Sequence, residues 1–191
     1  MSRSLALAFA AFLGGCVAFG WGDDDEAAPF SPQPPRSVDV IGADGAAIGQ
    51  ATFTEAPHGV LIRLAFPAGA LPPGWHGAHI HETGDCSDAA LGFHASRSHV
   101  GHQGRVQHGL MNPAGPEPGD LPNLFVAEGG ALETELFSPW LSLGPLPREG
   151  RPSLLDEDGA ALVIHAGADD HLTQPIGGAG ARIACAALSR Q

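Results

Sequence analysis

The chain has 191 residues, 43% of them hydrophobic and 16% charged, which suits one globular domain with a leader and a linker. Its 27 Gly and 17 Pro favour many short strands and turns over a helical bundle. Nine basic residues, all Arg, stand against 21 acidic ones; the resulting charge of −12 excludes nucleic acid and anionic membrane surfaces as electrostatic partners.

Residues 1–16 read as an export signal. Arg3 supplies a positive start, and Leu5 to Leu13 form an apolar stretch too short to span a bilayer comfortably. The stretch ends in Leu13-Gly14-Gly15-Cys16, which resembles a bacterial lipoprotein cleavage box with Cys16 as the lipidated residue. An ordinary cleaved signal with an incidental Cys is the alternative. Either way the mature domain is expected in the periplasm, and under the first reading it is anchored to a membrane through Cys16. Residues 17–36 hold Asp23-Asp24-Asp25-Glu26 and then Pro29, Pro32, Pro34 and Pro35, an acidic, Pro-rich tether. The folded domain is expected over 37–191.

Period-2 patterns dominate from there. Ser37 to Ile41 and Ala47 to Thr54 flank the turn Ala43-Asp44-Gly45, a hairpin signal. Val60, Ile62, Leu64 and Phe66 alternate with Leu61, Arg63 and Ala65, as a strand with one buried face requires. Further strands are predicted over 77–82, 123–127, 132–137, 161–165 and 181–188. No helical stripe appears. Two long loops, 83–122 and 166–180, interrupt the pattern, and loops of that length commonly carry function.

All ten histidines fall between His58 and His171. His79-Ile80-His81 sits in a predicted strand, where alternation puts both imidazoles on one face and so lets them converge on one metal ion. His165 ends another apolar strand. The long loop between them adds His94, His99, His102, His108 and Asp120. Imidazoles suit copper and zinc, and a carboxylate suits the harder zinc. Beyond Cys16 only Cys86 and Cys185 remain. Outside the cytoplasm they either pair, closing a loop of about 100 residues, or stay as two buried thiols.

Several of these stretches together resemble the copper/zinc superoxide dismutases. Gly74-Trp75-His76-Gly77-Ala78-His79-Ile80-His81-Glu82 is similar to that family's H-G-x-H-x-H segment, and Gly84-Asp85-Cys86 to the turn and half-cystine that follow. Gln107-His108-Gly109 and Gly119-Asp120-Leu121-Pro122 resemble the zinc loop of the bacterial branch. Ile164-His165-Ala166-Gly167-Ala168-Asp169 and Gly180-Ala181-Arg182-Ile183-Ala184-Cys185 resemble its two C-terminal motifs. The resemblance runs from about Ser37 to Leu188.

It implies an all-β fold, an eight-stranded antiparallel Greek-key barrel or sandwich with two long functional loops. It implies two cofactors, a copper ion held by His79, His81, His99 and His165 and a zinc ion sharing His99 and adding His108 and Asp120. Asp169 would link a copper-ligand His to a zinc-ligand His, Arg182 would orient the superoxide anion, and Cys86 and Cys185 would form a disulfide. His76 would be structural, with His58, His94, His102 and His171 outside the metal sites. The implied activity is dismutation of superoxide to dioxygen and hydrogen peroxide, with His99 and Arg182 as its catalytic residues. The alternative is a copper-binding or copper-buffering protein on the same barrel.

Three departures stand out. Glu117 occupies the place of the family's third zinc histidine, three residues before Asp120; its carboxylate can bind zinc, giving the set His99, His108, Glu117 and Asp120. The residues usual around the bridging histidine are replaced by Arg97, Ser98, Gly101 and His102. Ala78 stands where an aromatic is usual.

Overall fold

The computed structural model describes residues 30–102 and 106–189; the export signal, Cys16 and most of the tether lie outside the described residues. Strand β1 (Arg36–Gly42) starts one residue earlier than expected and pairs antiparallel with β2 (Ala47–Ala56), Val38 facing Ala51. Between them, the Asp44 side chain accepts the backbone N–H of Ala46 at 3.0 Å and closes the turn. β3 (Gly59–Phe66) follows, with Val60, Ile62, Leu64 and Phe66 buried as the alternation required.

β4 (Gly74–His76) and β5 (Ala78–His81) are separated by one residue, Gly77. A Cβ there would stand 2.9 Å from that of Ala179, so only glycine lets the chain kink against this neighbour. The kink divides one strand between two sheets, and the sequence pattern showed only its second half. β6 (Leu124–Val126), β7 (Leu132–Ser138), β8 (Ala160–His165) and β9 (Arg182–Leu188) complete the set. With β4 and β5 taken as one kinked strand, these segments make the eight expected.

The curled antiparallel sheet runs β5-β8-β9-β1-β2-β3-β7, and β4 pairs with β6 in a separate ribbon. One apolar cluster fills the inside, drawing Val40, Phe53, Ile62, Leu64, Ile80, Leu162, Ile164 and Ala186 from six strands. Truncating any of its large members to Ala would cost about 2–5 kcal/mol through lost burial and the cavity left behind.

β5 and β8 are buried along their whole length, unlike β3. Their inner faces (Ala78, Ile80, Leu162, Ile164) join the barrel core, while Ala161 and Val163 on the outer face of β8 pack with Phe93 and Cys185. The outer wall is therefore covered, and the cover is the long loop after β5. That loop carries two 3₁₀ turns, Ala89–Leu91 and His94–Ser96. A third long connection, 139–159, also lacks regular strands. Its leucines 141, 143, 154 and 155 are buried in the barrel core, so it plugs the barrel rather than building a site.

Candidate metal centre

Period-2 alternation turns His79 and His81 outward from β5, into the space beneath the loop. Two loop segments lie beside β5 almost as extra strands: the Val100 N–H donates to the Ile80 carbonyl (2.9 Å) and the Ile80 N–H to that of Gly119 (2.8 Å). This register sets His81 opposite His99 and His79 opposite Asp120. β8 pairs with the other edge of β5, and a register irregularity at its end brings in His165.

Donor atoms of His79, His81, His99 and His165 all lie within 4.8 Å of one another, and all four residues are buried. In each, one ring nitrogen is committed. His79 Nε2 donates to Asp169 Oδ2 (2.8 Å), His81 Nδ1 to the Arg97 carbonyl (2.8 Å) and His165 Nδ1 to the Gly180 carbonyl (3.0 Å). His99 Nδ1 lies 3.0 Å from Glu117 Oε2 and 3.3 Å from Asp120 Oδ1. The remaining nitrogens, His79 Nδ1, His81 Nε2, His99 Nε2 and His165 Nε2, are buried without a hydrogen-bond partner. A proton fixed on one nitrogen leaves a lone pair on the other, and four such lone pairs converging in one buried place fit a metal ion that prefers imidazole. Burial holds three of these rings neutral. It pulls His79 down to about 3, against the opposing bond to Asp169, and His165 down to about 4, against the Gly180 carbonyl; His81 is lowered well below its ordinary value by burial and by the nearby His99 and Arg182.

The far side of His99 faces a second pocket. His108 Nδ1 lies 2.8 Å from Asp120 Oδ1, and Asp120 Oδ1 and Glu117 Oε2 stand 3.3 and 3.0 Å from His99 Nδ1. A tetrahedral site with bonds of about 2.0–2.2 Å has edges of roughly 3.3–3.6 Å, close to these spacings. His79 is as near, since its donor atoms fall within 4.8 Å of those of His99, His108 and Asp120. Its Nε2 is spent on Asp169, however, and its Nδ1 belongs to the first set. Glu117, 1% exposed, also faces His99 from this side, through Oε2. Burial acts to lower the pKa values of His99 and His108, but the facing carboxylates outweigh it. His99 is raised by Asp120 and Glu117, and His108 is pushed up to about 10 by Asp120 and Asp169. Burial acts to raise Asp120 and Asp169, and their partners override it. His108 and His99 hold Asp120 below the usual carboxylate range, and His108 and His79 do the same for Asp169.

Asp169 joins the pockets, accepting from His79 Nε2 at Oδ2 (2.8 Å) and from His108 Nε2 at Oδ1 (3.2 Å). Arg182 Nη1 donates to the Phe93 carbonyl (2.7 Å) and the Ser96 hydroxyl (3.3 Å), and Nη2 donates to the Arg97 carbonyl (2.7 Å). Cys86 and Cys185 are bonded with their Cα atoms 5.8 Å apart, tying the loop to β9. His76 is buried between the carbonyls of His165 and Pro72, both at 2.8 Å, and takes no part in either pocket. His58 and His94 are exposed.

Two histidines that the sequence left outside the site touch its carboxylates. His102 Nδ1 stands 2.9 Å from Glu117 Oε1. The His171 N–H donates to Asp169 Oδ1 at 2.6 Å, and its ring lies 3.3 Å from Oδ2. Asn123 braces the same residue in a reciprocal pair, its amide donating to the Asp169 carbonyl (2.8 Å) and its Oδ1 accepting the Asp169 N–H (2.9 Å). The contacts of His102 and Asn123 span 15 and 46 positions and arise only where the loops meet, whereas the contact of His171 with Asp169 is a turn within one loop.

Residues 47–188 match the family described as Copper/zinc superoxide dismutase (SODC). A superoxide dismutase [Cu-Zn] from Caulobacter vibrioides is 50% identical over 149 residues, covering 78% of this chain and 82% of that protein. A superoxide dismutase-like protein of Bacillus subtilis is 37% identical over 79% of this chain and 74% of its own length. Among solved structures, a superoxide dismutase-like protein from Bacillus subtilis superposes with a TM-score of 0.69 at 35% identity, covering 80% of this chain and 97% of that one. The copper/zinc superoxide dismutase of Brucella abortus superposes with a TM-score of 0.60 at 26% identity, covering 81% and 99%.

Proposed function

This chain belongs to the copper/zinc superoxide dismutase family, and we propose that His79, His81, His99 and His165 hold its copper and His99, His108, Glu117 and Asp120 its zinc. The reaction consumes two superoxide anions and two protons and yields dioxygen and hydrogen peroxide. Copper supplies the one-electron chemistry in both directions, while zinc, which is not redox-active, bears on His99.

The observation that carries the residue assignment is the set of four buried, unpartnered nitrogens, each on a ring whose other nitrogen is committed. His99 faces both pockets, with one ring nitrogen toward each. Its Nε2 points among the copper donors and can take up and give back a proton there, while its Nδ1 stays between Glu117 and Asp120. Asp169 accepts from Nε2 of His79 and of His108, so that Nδ1 would be the ligating nitrogen of each, that of His108 lying beside Asp120 Oδ1. Arg182 has five N–H groups and spends three on Phe93, Ser96 and Arg97, which leaves two to orient an anion. Those carbonyl bonds also fix the guanidinium in place before the anion arrives, which electrostatic stabilisation requires. A protein that only bound or buffered copper would not need such an anion guide.

Export suits the disulfide and the signal-like first sixteen residues. We propose a periplasmic domain tethered through a lipid on Cys16, with the acidic stretch from 17 to 36 as spacer. Two variants test the assignment together. His165→Ala should abolish both copper binding and turnover, and Arg182→Ala should leave copper bound and cut turnover. Activity that survives His165→Ala would refute the copper set.

A further inference from the structure

We propose that His102 is a positioning residue of the zinc pocket, holding Glu117 as a ligand through one oxygen only. The proposal rests on the reading of Glu117 as a zinc ligand. The two carboxylates of the pocket pose the same geometric problem, because a carboxylate with both oxygens free can chelate one ion and expand its coordination beyond four.

Asp120 solves it with backbone. Its Oδ2 accepts the N–H of Gly109 (2.7 Å) and of Glu117 (2.9 Å), so Oδ1 alone is left toward His99 and His108. Glu117 has one more side-chain torsion, and its Oε1 is bonded instead to a side chain, His102 Nδ1, at 2.9 Å. An ionised carboxylate can only accept, so His102 Nδ1 carries the hydrogen and donates it. The opposite oxygen, Oε2, then faces His99 Nδ1 at 3.0 Å.

The chain is shaped to deliver this contact. The His102 N–H donates to the His99 carbonyl (3.1 Å), closing a turn that returns both imidazoles to one carboxylate. Gly101 within the turn has φ +92, and a Cβ there would stand 2.4 Å from Cδ of Pro118, beside Glu117. His102 is 41% exposed while Glu117 is 1% exposed, so the clamp reaches in from the surface to a buried ligand. Glu117 and His102 thus act as a unit. The longer carboxylate puts an oxygen where an imidazole nitrogen is usual in the family, and the histidine fixes which oxygen it is.

The test uses the full chain. Zinc affinity is measured by chelator competition, and cobalt(II) is placed in the zinc pocket of protein whose copper is reduced, so that only cobalt gives visible ligand-field bands. His102→Ala should weaken zinc by about 10–100-fold, the usual effect of losing a residue that orients a ligand. It should also lower the cobalt band intensity as Oε1 swings in and the site becomes five-coordinate. His102→Asn, which keeps an N–H donor near the position of Nδ1, should restore most of both. Wild-type affinity and spectrum in His102→Ala would overturn the clamp, and so would a His102→Asn no better than the Ala variant, which would make the imidazole itself a ligand. Glu117→Gln separates the two readings. If it weakens zinc while His102→Ala does not, only the clamp fails; if Glu117→Gln leaves zinc binding unchanged, Glu117 is no ligand and both fail.

Discussion

Arg97 sits in a backbone conformation that a residue with a side chain rarely adopts, φ 63° and ψ −136°. The strain has a visible use, since it turns one carbonyl toward both His81 Nδ1 (2.8 Å) and Arg182 Nη2 (2.7 Å). The side chain itself is exposed, so the carbonyl does the work. Such a conformation costs about 1–3 kcal/mol in a residue other than glycine. Arg97→Gly removes that cost but adds about 0.5–1 kcal/mol of unfolded-chain entropy. The relief is the larger effect, by about 1 kcal/mol, which in a domain of this size raises Tm by roughly 2–4 °C. Arg97→Ala keeps the strain and loses only the charge, so its Tm should stay near that of the parent. Calorimetry of both variants with the disulfide intact, together with copper retention and a superoxide assay, checks the argument. Turnover should survive in the Gly variant because the carbonyl keeps its direction. A lower Tm with easier copper loss in Arg97→Gly would refute the reasoning, showing that the Arg side chain, not the wrapped backbone, fixes the carbonyl.

Reducing Cys86–Cys185, which spans 99 residues, should remove about 4–5 kcal/mol and lower Tm by roughly 10–20 °C, loosening metal binding at the same time; labelling of both thiols in unreduced protein would contradict this. The metal-free domain should be acid-sensitive. His165 falls from 6.5 to about 4 and His79 from 6.5 to about 3, chiefly by burial, so below pH 6.5 the unfolded chain takes up protons that the folded one refuses. Their contribution is present above pH 6.5 and is lost as pH falls toward 4 and then 3. The 2.5-unit difference at His165 alone amounts to about 3 kcal/mol, and a metal-free Tm that stays flat down to pH 4 would refute it. Added salt should slow turnover only mildly, or speed it, because the chain carries −12 and no Lys to steer the anion; a steep fall in rate with ionic strength would count against this.

What the sequence disclosed about the site follows from rules of short range. Period 2 put His79 and His81 on one face, whereas Glu117 was singled out by the family resemblance, three residues before Asp120. In the structure that spacing is a turn, in which the Asp120 N–H donates to the Glu117 carbonyl (3.0 Å) and the Glu117 N–H returns to Asp120 Oδ2 (2.9 Å). The strands with one exposed face were legible for the same reason. β4 was not, because three residues before a kink carry no period, and the plug at 139–159 was missed because its leucines pack without a repeat. His102 and Asn123 lay beyond reach. Their partners stand 15 and 46 positions away, and only the fold of two loops decides that Glu117 Oε1 and the Asp169 backbone are where these side chains end.

The four unpartnered nitrogens also say how this site and its fold depend on each other. A buried polar group tends to find a partner, because leaving one without costs about 1–3 kcal/mol, and four such nitrogens in one place therefore suit a shared ion. Strands β5 and β8 hold the backbones of His79, His81 and His165 in sheet pairing that cannot yield without losing the core. Under the proposed copper assignment an ion on His99 would tie the loop bearing Arg97 and His99 to the strands, and with it the acceptors of Arg182 at Phe93, Ser96 and Arg97. The Cys86–Cys185 bond limits how far the same segment can move when metal is absent. The disulfide and the three bonds of Arg182 thus tie one loop to β9 independently, and together they hold the Arg97 carbonyl in its strained direction.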